Sequence, residues 1–271
     1  MSKVTSKKLS LLLTIDLEEF DIPLEFGQTI DLETQLKVSL DGLNRLLSIL
    51  RKHKVAATFF TTAHWATHHP EMMRQLVAEG HEIASHAYCH STFEGDDYAR
   101  SKQTLEAITQ QKIQGFRMPR LRPVDFDRLK NEGYTYDASM NPTYLPCRYN
   151  NLAQPKTPHH NGKVFILPSS VTPILRIPLF WLSFKNLPNW VNKLLFQRIR
   201  QNGVFVFYIH PWEFADIKTY QLPNYVKRIC GDDLVQKMDN LLGFIAKKGH
   251  FSTCRDYFSH EFHELKKRNS C

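Results

Sequence analysis

The sequence predicts an α/β protein on parallel strands, either a (β/α) barrel or a doubly wound sheet. Short apolar, β-rich runs alternate with longer segments of helical period along most of the 271 residues. The composition, 42% hydrophobic and 23% charged, supplies a core and excludes a disordered or collagen-like chain. No stretch approaches the ~18 uninterrupted apolar residues of a membrane span. Single α/β barrels reach about this length, so one domain is expected.

The first run, SLLLTI, ends at Asp16. A helix follows from about Leu32 to His53, because Leu36, Leu40, Leu43, Leu47 and Leu50 keep the spacing of one helical face. Next come the run VAATFFTT and a helix from Pro70 to Ala78 that stops at Gly80. HEIAS is the third strand. A polar helix around Tyr98–Lys112, the run GFR, a helix at about Val124–Asn131 and the run YTYD continue the alternation. Then the rhythm breaks, since residues 138–189 hold eight of the 14 prolines. A basic amphipathic helix at about Asn189–Gln201, the strand GVFVFYI, a helix over Asp233–Lys248, the strand HFSTC and a polar terminal helix complete the chain.

Charge is distributed unevenly. The formal net charge is +8, yet no carboxylate occurs between Asp137 and Glu213, where Arg148, Lys156, Lys163, Arg176, Lys185, Lys193, Arg198 and Arg200 account for the whole excess. An anionic partner is therefore expected at this stretch. No base-reading or phosphate motif accompanies it, which argues against nucleic acid. Five cysteines (Cys89, Cys147, Cys230, Cys254, Cys271) show no paired spacing, and the apolar run after Lys3, Lys7 and Lys8 is too short for a signal peptide. A cytoplasmic protein is expected.

The chemistry gathers where strands end, the face that carries the site in parallel α/β folds. Asp16 and Glu18 close the first run, His64 the second, His86 and His90 the third, Arg117 the fourth and His210 the last. His86 and His90, with an acid from the first strand, suit a divalent metal, most readily zinc. The spacing also admits an unrelated surface pair, as His64 and His68 show. Asp16 and Glu18 are two apart, so extended backbone puts both on one face: one binds metal while the other takes a proton. Glu19 points away. An acid-rich helix start is the alternative. His64 is placed near the mouth, in contact with substrate. His210, between an apolar strand and Pro211-Trp212-Glu213, suits a general acid. Arg117 pairs with Asp16, either to orient it or as a plain salt bridge.

TIDLEEF, GHEIASHAYCH, GFRMPR, YDAS and FYIHPWEF, in this order, resemble the motifs of the polysaccharide deacetylase superfamily, the NodB homology domain. The resemblance spans roughly Leu11 to Cys254. It implies a distorted (β/α) barrel of about seven parallel strands, in one domain over residues 1–271, interrupted by a basic, Pro- and aromatic-rich insertion at about 138–200. It further implies Asp16 as base, His86 and His90 as metal ligands, Arg117 as the arginine that orients the base and His210 as acid. The common pattern has the metal aspartate directly after the base, where this chain has Leu17. Glu18 resembles the acid-x-acid variant and is the expected third ligand. Backbone N–H groups near Tyr88 or Tyr144 are expected to hold the oxyanion, and Trp212 to contact substrate.

The implied activity is removal of an acetyl or formyl group from an amino sugar in cell-surface polysaccharide or glycolipid synthesis. The alternatives are a non-sugar, allantoinase-like C–N hydrolase and an inactive carbohydrate-binding protein. Residues 174–200 combine five cations with Phe180, Trp181, Phe184, Trp190 and Phe196. They are either a barrel helix with core aromatics or an interfacial segment on an anionic membrane, the latter suiting a lipid-linked substrate.

Overall fold

The computed structural model describes residues 9–259 except 147, 201 and 202. Lys3, Lys7, Lys8, Cys147, Gln201 and Cys271 lie outside them. The chain runs β1 (Ser10–Leu17), α1 (Leu32–Lys52), β2 (Thr58–Thr61), α2 (Ala63–His68), α3 (Pro70–Ala78), β3 (Glu82–Ser85), α4 (Asp97–Thr109), β4 (Gly115–Phe116), α5 (Phe126–Asn131) and β5 (Tyr136–Asp137). Short pieces follow: β6 (Tyr144–Leu145), β7 (Tyr149–Asn150), β8 (His159–His160), β9 (Phe165–Ile166), α6 (Trp181–Asn186) and α7 (Asn189–Ile199). The chain closes with β10 (Val204–Ile209), α8 (Asn224–Lys227), α9 (Gly231–Ile245) and β11 (His250–Phe251).

Seven strands run parallel in the order β10-β1-β2-β3-β4-β5-β9. β8 adds antiparallel to β9, and β11 pairs with the start of β1. No ladder joins β9 to β10 among the described residues. Ser170 bridges that gap: its N–H donates to Val206 O (3.1 Å) and its Oγ accepts from the Val206 N–H (2.8 Å). The result is the distorted, incompletely closed (β/α) barrel that the resemblance implied.

Strand periodicity sorts β1 between two cores. Leu11, Leu13, Ile15 and Leu17 pack outward with Leu43, Leu46 and Leu50 of α1, whereas Leu12 faces inward with Phe60, Ala84, Tyr136 and Val206. Each such leucine contributes roughly 1.5–3 kcal/mol by burial. The same parity carries Asp16 and Glu18 inward at the strand's carboxyl end. At the opposite end, buried Glu82 accepts from Thr58 Oγ1 (2.8 Å), Tyr136 OH (2.8 Å) and the Arg255 N–H (2.9 Å), which ties three strands to the C-terminal segment.

α1 begins at Asp31, whose Oδ1 caps the Thr34 N–H (2.8 Å), and ends on Arg51 and Lys52, which complement the helix dipole. α4 stops at Thr109, short of the expected Lys112, because Gln110 turns left-handed (φ 54°). α2 and α6, six residues each, are too short to show a period and have no counterpart in the sequence reading. Residues 138–200 are not wholly an insertion, since Phe165–Ile166 is the seventh parallel strand. The terminal helix is described over residues 254–259. No helix among the described residues is long and apolar enough to cross a membrane.

One contact couples scaffold to site. A Cβ on Gly42 of α1 would lie 1.9 Å from the carbonyl oxygen of Pro211, in the turn that follows His210. Alanine favours an exposed helix by ~1 kcal/mol, but here it must displace backbone, at a typical cost of ~1–3 kcal/mol. Gly42→Ala is therefore expected to lower the melting temperature by a few degrees and turnover by a larger factor. Calorimetry and an activity assay check this; a variant more stable than the parent would contradict the steric reading.

Candidate active site and metal centre

The barrel narrows upward from its apolar floor to a buried guanidinium. Arg117, 1% exposed, stacks 4.1 Å over the Phe60 ring and donates Nε to Ala138 O (2.9 Å) and Nη2 to Thr14 Oγ1 (3.0 Å). Its Nη1 pairs with Asp16 Oδ1. Burial pulls the Asp16 carboxyl up in pKa, but Arg117, then His86 and His210, outweigh that and hold it below its ordinary value. Asp16 is thus an ionised, oriented proton acceptor.

Directly above it, Glu18 Oε2 lies 3.1 Å from His86 Nε2 and 3.1 Å from His90 Nε2. These are the three side chains among the described residues whose donor atoms converge for a metal ion. Both imidazoles are held from behind. His86 Nδ1 donates to Arg117 O (2.8 Å) and His90 Nδ1 to Asp21 Oδ1 (2.8 Å), which directs both Nε2 atoms at Glu18. Two imidazoles and a carboxylate oxygen, each with an outer partner, fit a divalent cation such as zinc. The ligand loop follows β3 and is gripped by the start of α2, where the Ala63 and His64 N–H groups donate to Ala87 O (3.0 Å) and Tyr88 O (2.9 Å).

His210 enters from β10. Its Nε2 lies 3.9 Å from both Asp16 Oδ2 and Glu18 Oε1, and its Nδ1 is 3.1 Å from Glu213 Oε1. Trp212 stacks on the ring at 5.0 Å and Trp181 meets it edge-on at 5.1 Å. Burial lowers the pKa of His210, but Glu213, then Glu18 and Asp16, raise it above its ordinary value. The surrounding carboxylates therefore favour the imidazolium form. Glu213 is fixed by the buried Lys185, whose Nζ lies 3.1 Å from Oε2 and donates to Val226 O (2.7 Å). Burial raises the Glu213 pKa, and Lys185 and His210 bring it below the usual range.

These groups open into a cavity of about 290 Å³ lined by Asp16, Glu18, His86, His90 and His210, with Phe180, Trp181 and Tyr208 on one side and Arg120 and Arg148 on another.

Residues 37–136 match the family model described as polysaccharide deacetylase. Over those residues the chain is similar to the polysaccharide deacetylase family. That stretch contains His86, His90 and Arg117, while Asp16, Glu18 and His210 join it through the fold. A chitooligosaccharide deacetylase of Bradyrhizobium sp. (strain ANU 289) is 44% identical over 45 residues, 17% of this chain and 20% of that protein. The matched stretches span 20% to 25% of the first curated relatives' length. Among solved structures, a putative polysaccharide deacetylase from Mycobacterium smegmatis superposes with TM-score 0.64 at 19% identity, covering 98% of this chain and 94% of that one. A probable polysaccharide deacetylase from Pseudomonas aeruginosa PAO1 has the same TM-score at 16% identity, covering 94% and 91%. Both likenesses concern the fold.

Within this fold, several expected contacts lie elsewhere. His64 does not reach the cavity: α2 turns it onto Glu19, with Nδ1 2.7 Å from Oε1. Tyr88 lies against the Arg100 guanidinium at 4.4 Å, and Tyr144 is exposed while its neighbour Leu145 lines the cavity. Trp212 lines the cavity and holds Glu18, its Nε1 donating to Oε1 (3.2 Å). Glu19 does point away, and Leu17 is fully buried core. Sequence reading missed Asp21, Arg120, Arg148, Lys185 and the part played by Glu213. Only Asp21 and Glu213 gave a signal, as acids beside assigned residues.

Metal affinity should depend on pH through His90. Burial lowers its pKa, but Glu18 and Asp21 dominate and push it up to about 9. Below that value a cation must displace the proton on this imidazole, so affinity falls by about tenfold per pH unit. Titration of metal-free protein with zinc at pH 8 and pH 6 is expected to show roughly a hundredfold weaker binding at pH 6.

Proposed function

We propose that the protein is a metal-dependent hydrolase that removes an N-acyl group, acetyl or formyl, from an amino sugar. The observation that carries this reading is one cavity lined by the Glu18–His86–His90 cluster together with Asp16, whose carboxyl is held low in pKa, and His210, whose imidazole is held high and lies 3.9 Å from both Asp16 and Glu18. A proton acceptor and a proton donor beside a cluster that can hold a metal are what amide hydrolysis needs.

Glu18, His86 and His90 would hold the cation. When bound, a divalent cation such as zinc supplies Lewis acidity toward an amide carbonyl and makes water more acidic. Asp16, kept ionised and aimed by Arg117, takes a proton from the attacking water. His210, kept protonated by Glu213, donates from Nε2 to the departing nitrogen, so that amine and carboxylic acid leave as separate products. Trp181 and Trp212 fix the imidazole plane and screen it from bulk water. Removing the Asp16 or His210 function should each cost ~10²–10⁴ in turnover.

The substrate class in this proposal is a cell-surface amino sugar, lipid-linked and met at the cytoplasmic face of a membrane. Exposed apolar side chains support it: Ile174 (89%) and Leu175 (74%), and on α7 Trp190 (70%) and Leu194 (47%), the helix that also carries Lys193 and Arg198 and ends at Arg200. The membrane-facing set is narrower than the sequence implied. Phe184, Phe196 and Lys185 are buried, and Trp181 lines the active cavity.

The deciding experiment couples metal analysis to acetate and formate release from free, polymeric and lipid-linked amino sugars. His210→Ala is expected to keep its metal and lose at least a hundredfold in turnover. Loss of metal instead would exchange the roles of ligand and acid, and a wild-type protein without stoichiometric metal would sink the enzyme reading. The membrane contact has a separate test, in which Trp190→Ser/Leu194→Ser should release the protein from anionic vesicles; equal binding would remove it.

A further inference from the structure

A second cavity, of about 670 Å³, adjoins the first, and the two meet along Arg120, Leu121, Arg148 and Tyr149. Their linings differ in the balance of charged groups. Asp16, Glu18, Asp21 and Glu25 face the first cavity against the two shared arginines and the imidazoles of His86, His90 and His210. The second presents Arg120, Arg122 and Arg148 against a single carboxyl, Asp137. Asp137 opposes an anion weakly: it is 1% exposed, accepts hydrogen bonds from the Ser139 N–H (3.2 Å) and hydroxyl, and burial pushes its pKa up to about 6.

The three guanidinium groups retain binding capacity. Arg120 gives Nη2 to Asp21 (3.1 Å) and Nη1 to Glu25 (3.3 Å), but its buried Nε has no acceptor. Arg148 gives one nitrogen to Glu25 (2.7 Å) and is 48% exposed in its side chain. Arg122 makes no ion pair among the described residues. The backbone joining the cavities is also strained. Arg120 and Leu121 are both left-handed, with φ of 58° and 52°, a state that side-chain-bearing residues hold only where the surroundings impose it. Arg120 lines both cavities, and its ion pairs with Asp21 and Glu25 hold the guanidinium at their junction.

A neutral sugar chain would leave Arg122 without a counter-charge and the spare donors of Arg120 and Arg148 unused. Forked guanidinium donors match phosphate oxygens, and the volume exceeds what a lone carboxylate fills. We propose that the second cavity binds a phosphate group carried by the substrate beside its N-acyl sugar, so that the substrate is a glycosyl phosphate or diphosphate. The proposal rests on the amide-hydrolase reading and names the substrate class of that site. Nucleotide-linked and lipid-linked sugars share this chemistry.

The test compares acyl release by metal-loaded enzyme from N-acetylglucosamine 1-phosphate, its uridine-diphosphate and polyprenyl-phosphate conjugates, and the neutral methyl glycoside. A kcat/KM at least tenfold higher for all phosphorylated forms, with the advantage erased in Arg122→Gln and partly restored in Arg122→Lys, is the expected result. A preference for one conjugate above that shared advantage identifies the carrier. Equal hydrolysis of sugar phosphate and methyl glycoside would overturn the phosphate site and leave the hydrolase reading standing. If no substrate is turned over, that reading fails, and titration with inorganic pyrophosphate still decides the cavity. Binding by wild type that is lost in Arg122→Gln supports the site, and no binding overturns it.

Discussion

The ion pair between Arg117 and Asp16 is the constraint on which the upper half of the barrel is arranged. Two charges are held there out of water, an arrangement whose desolvation cost of several kcal/mol per ion is offset only by good geometry and complete hydrogen bonding. Arg117 meets that condition with donors to Asp16, Thr14 and Ala138 and a ring face beneath it. Its own carbonyl also orients His86. One residue thereby sets the charge of the Asp16 carboxyl and the direction of His86 Nε2. Lysine has neither the fork nor the planar face to do both.

Two further chains of charge run outward from this centre. One passes from His210 through Glu213 to Lys185, so the protonation of the acid depends on a lysine in α6, outside the barrel strands. The other passes from His90 through Asp21 to Arg120, Glu25 and Arg148. It ties His90 to the β6–β7 hairpin at the cavity edge. Ion pairs rather than strand pairing thus connect that edge to the Glu18–His86–His90 cluster.

What was legible in the sequence follows from periodicity. A run of alternating or apolar residues fixes which face a strand-end side chain takes, and Asp16, Glu18, His86 and His210 all sit within a residue or two of such a run. The fold was legible for the same reason, up to the choice between barrel and doubly wound sheet, which depends on Ser170 spanning β9 and β10. Arg120 and Arg148 were not legible. They lie in turns with no period, and their partners are up to 123 residues away in sequence. His64 misled because a six-residue helix begins directly after β2 and rotates it onto Glu19.

The basic segment shows how linear charge differs from surface charge. Of its eight cations, Arg148, Lys163 and Lys185 pair with Glu25, Asp127 and Glu213, carboxylates from outside the segment. Arg176 and Lys156 are spent on loop carbonyls. That leaves chiefly Lys193, Arg198 and Arg200 for an anionic surface, about 3 kcal/mol at ~1 kcal/mol for each basic residue near a membrane. Attraction of that size is marginal alone, so any membrane contact must draw most of its free energy from burying Trp190, Leu194, Ile174 and Leu175. High salt should accordingly weaken such a contact less than loss of the tryptophan does, because screening acts on the charges and leaves apolar burial intact.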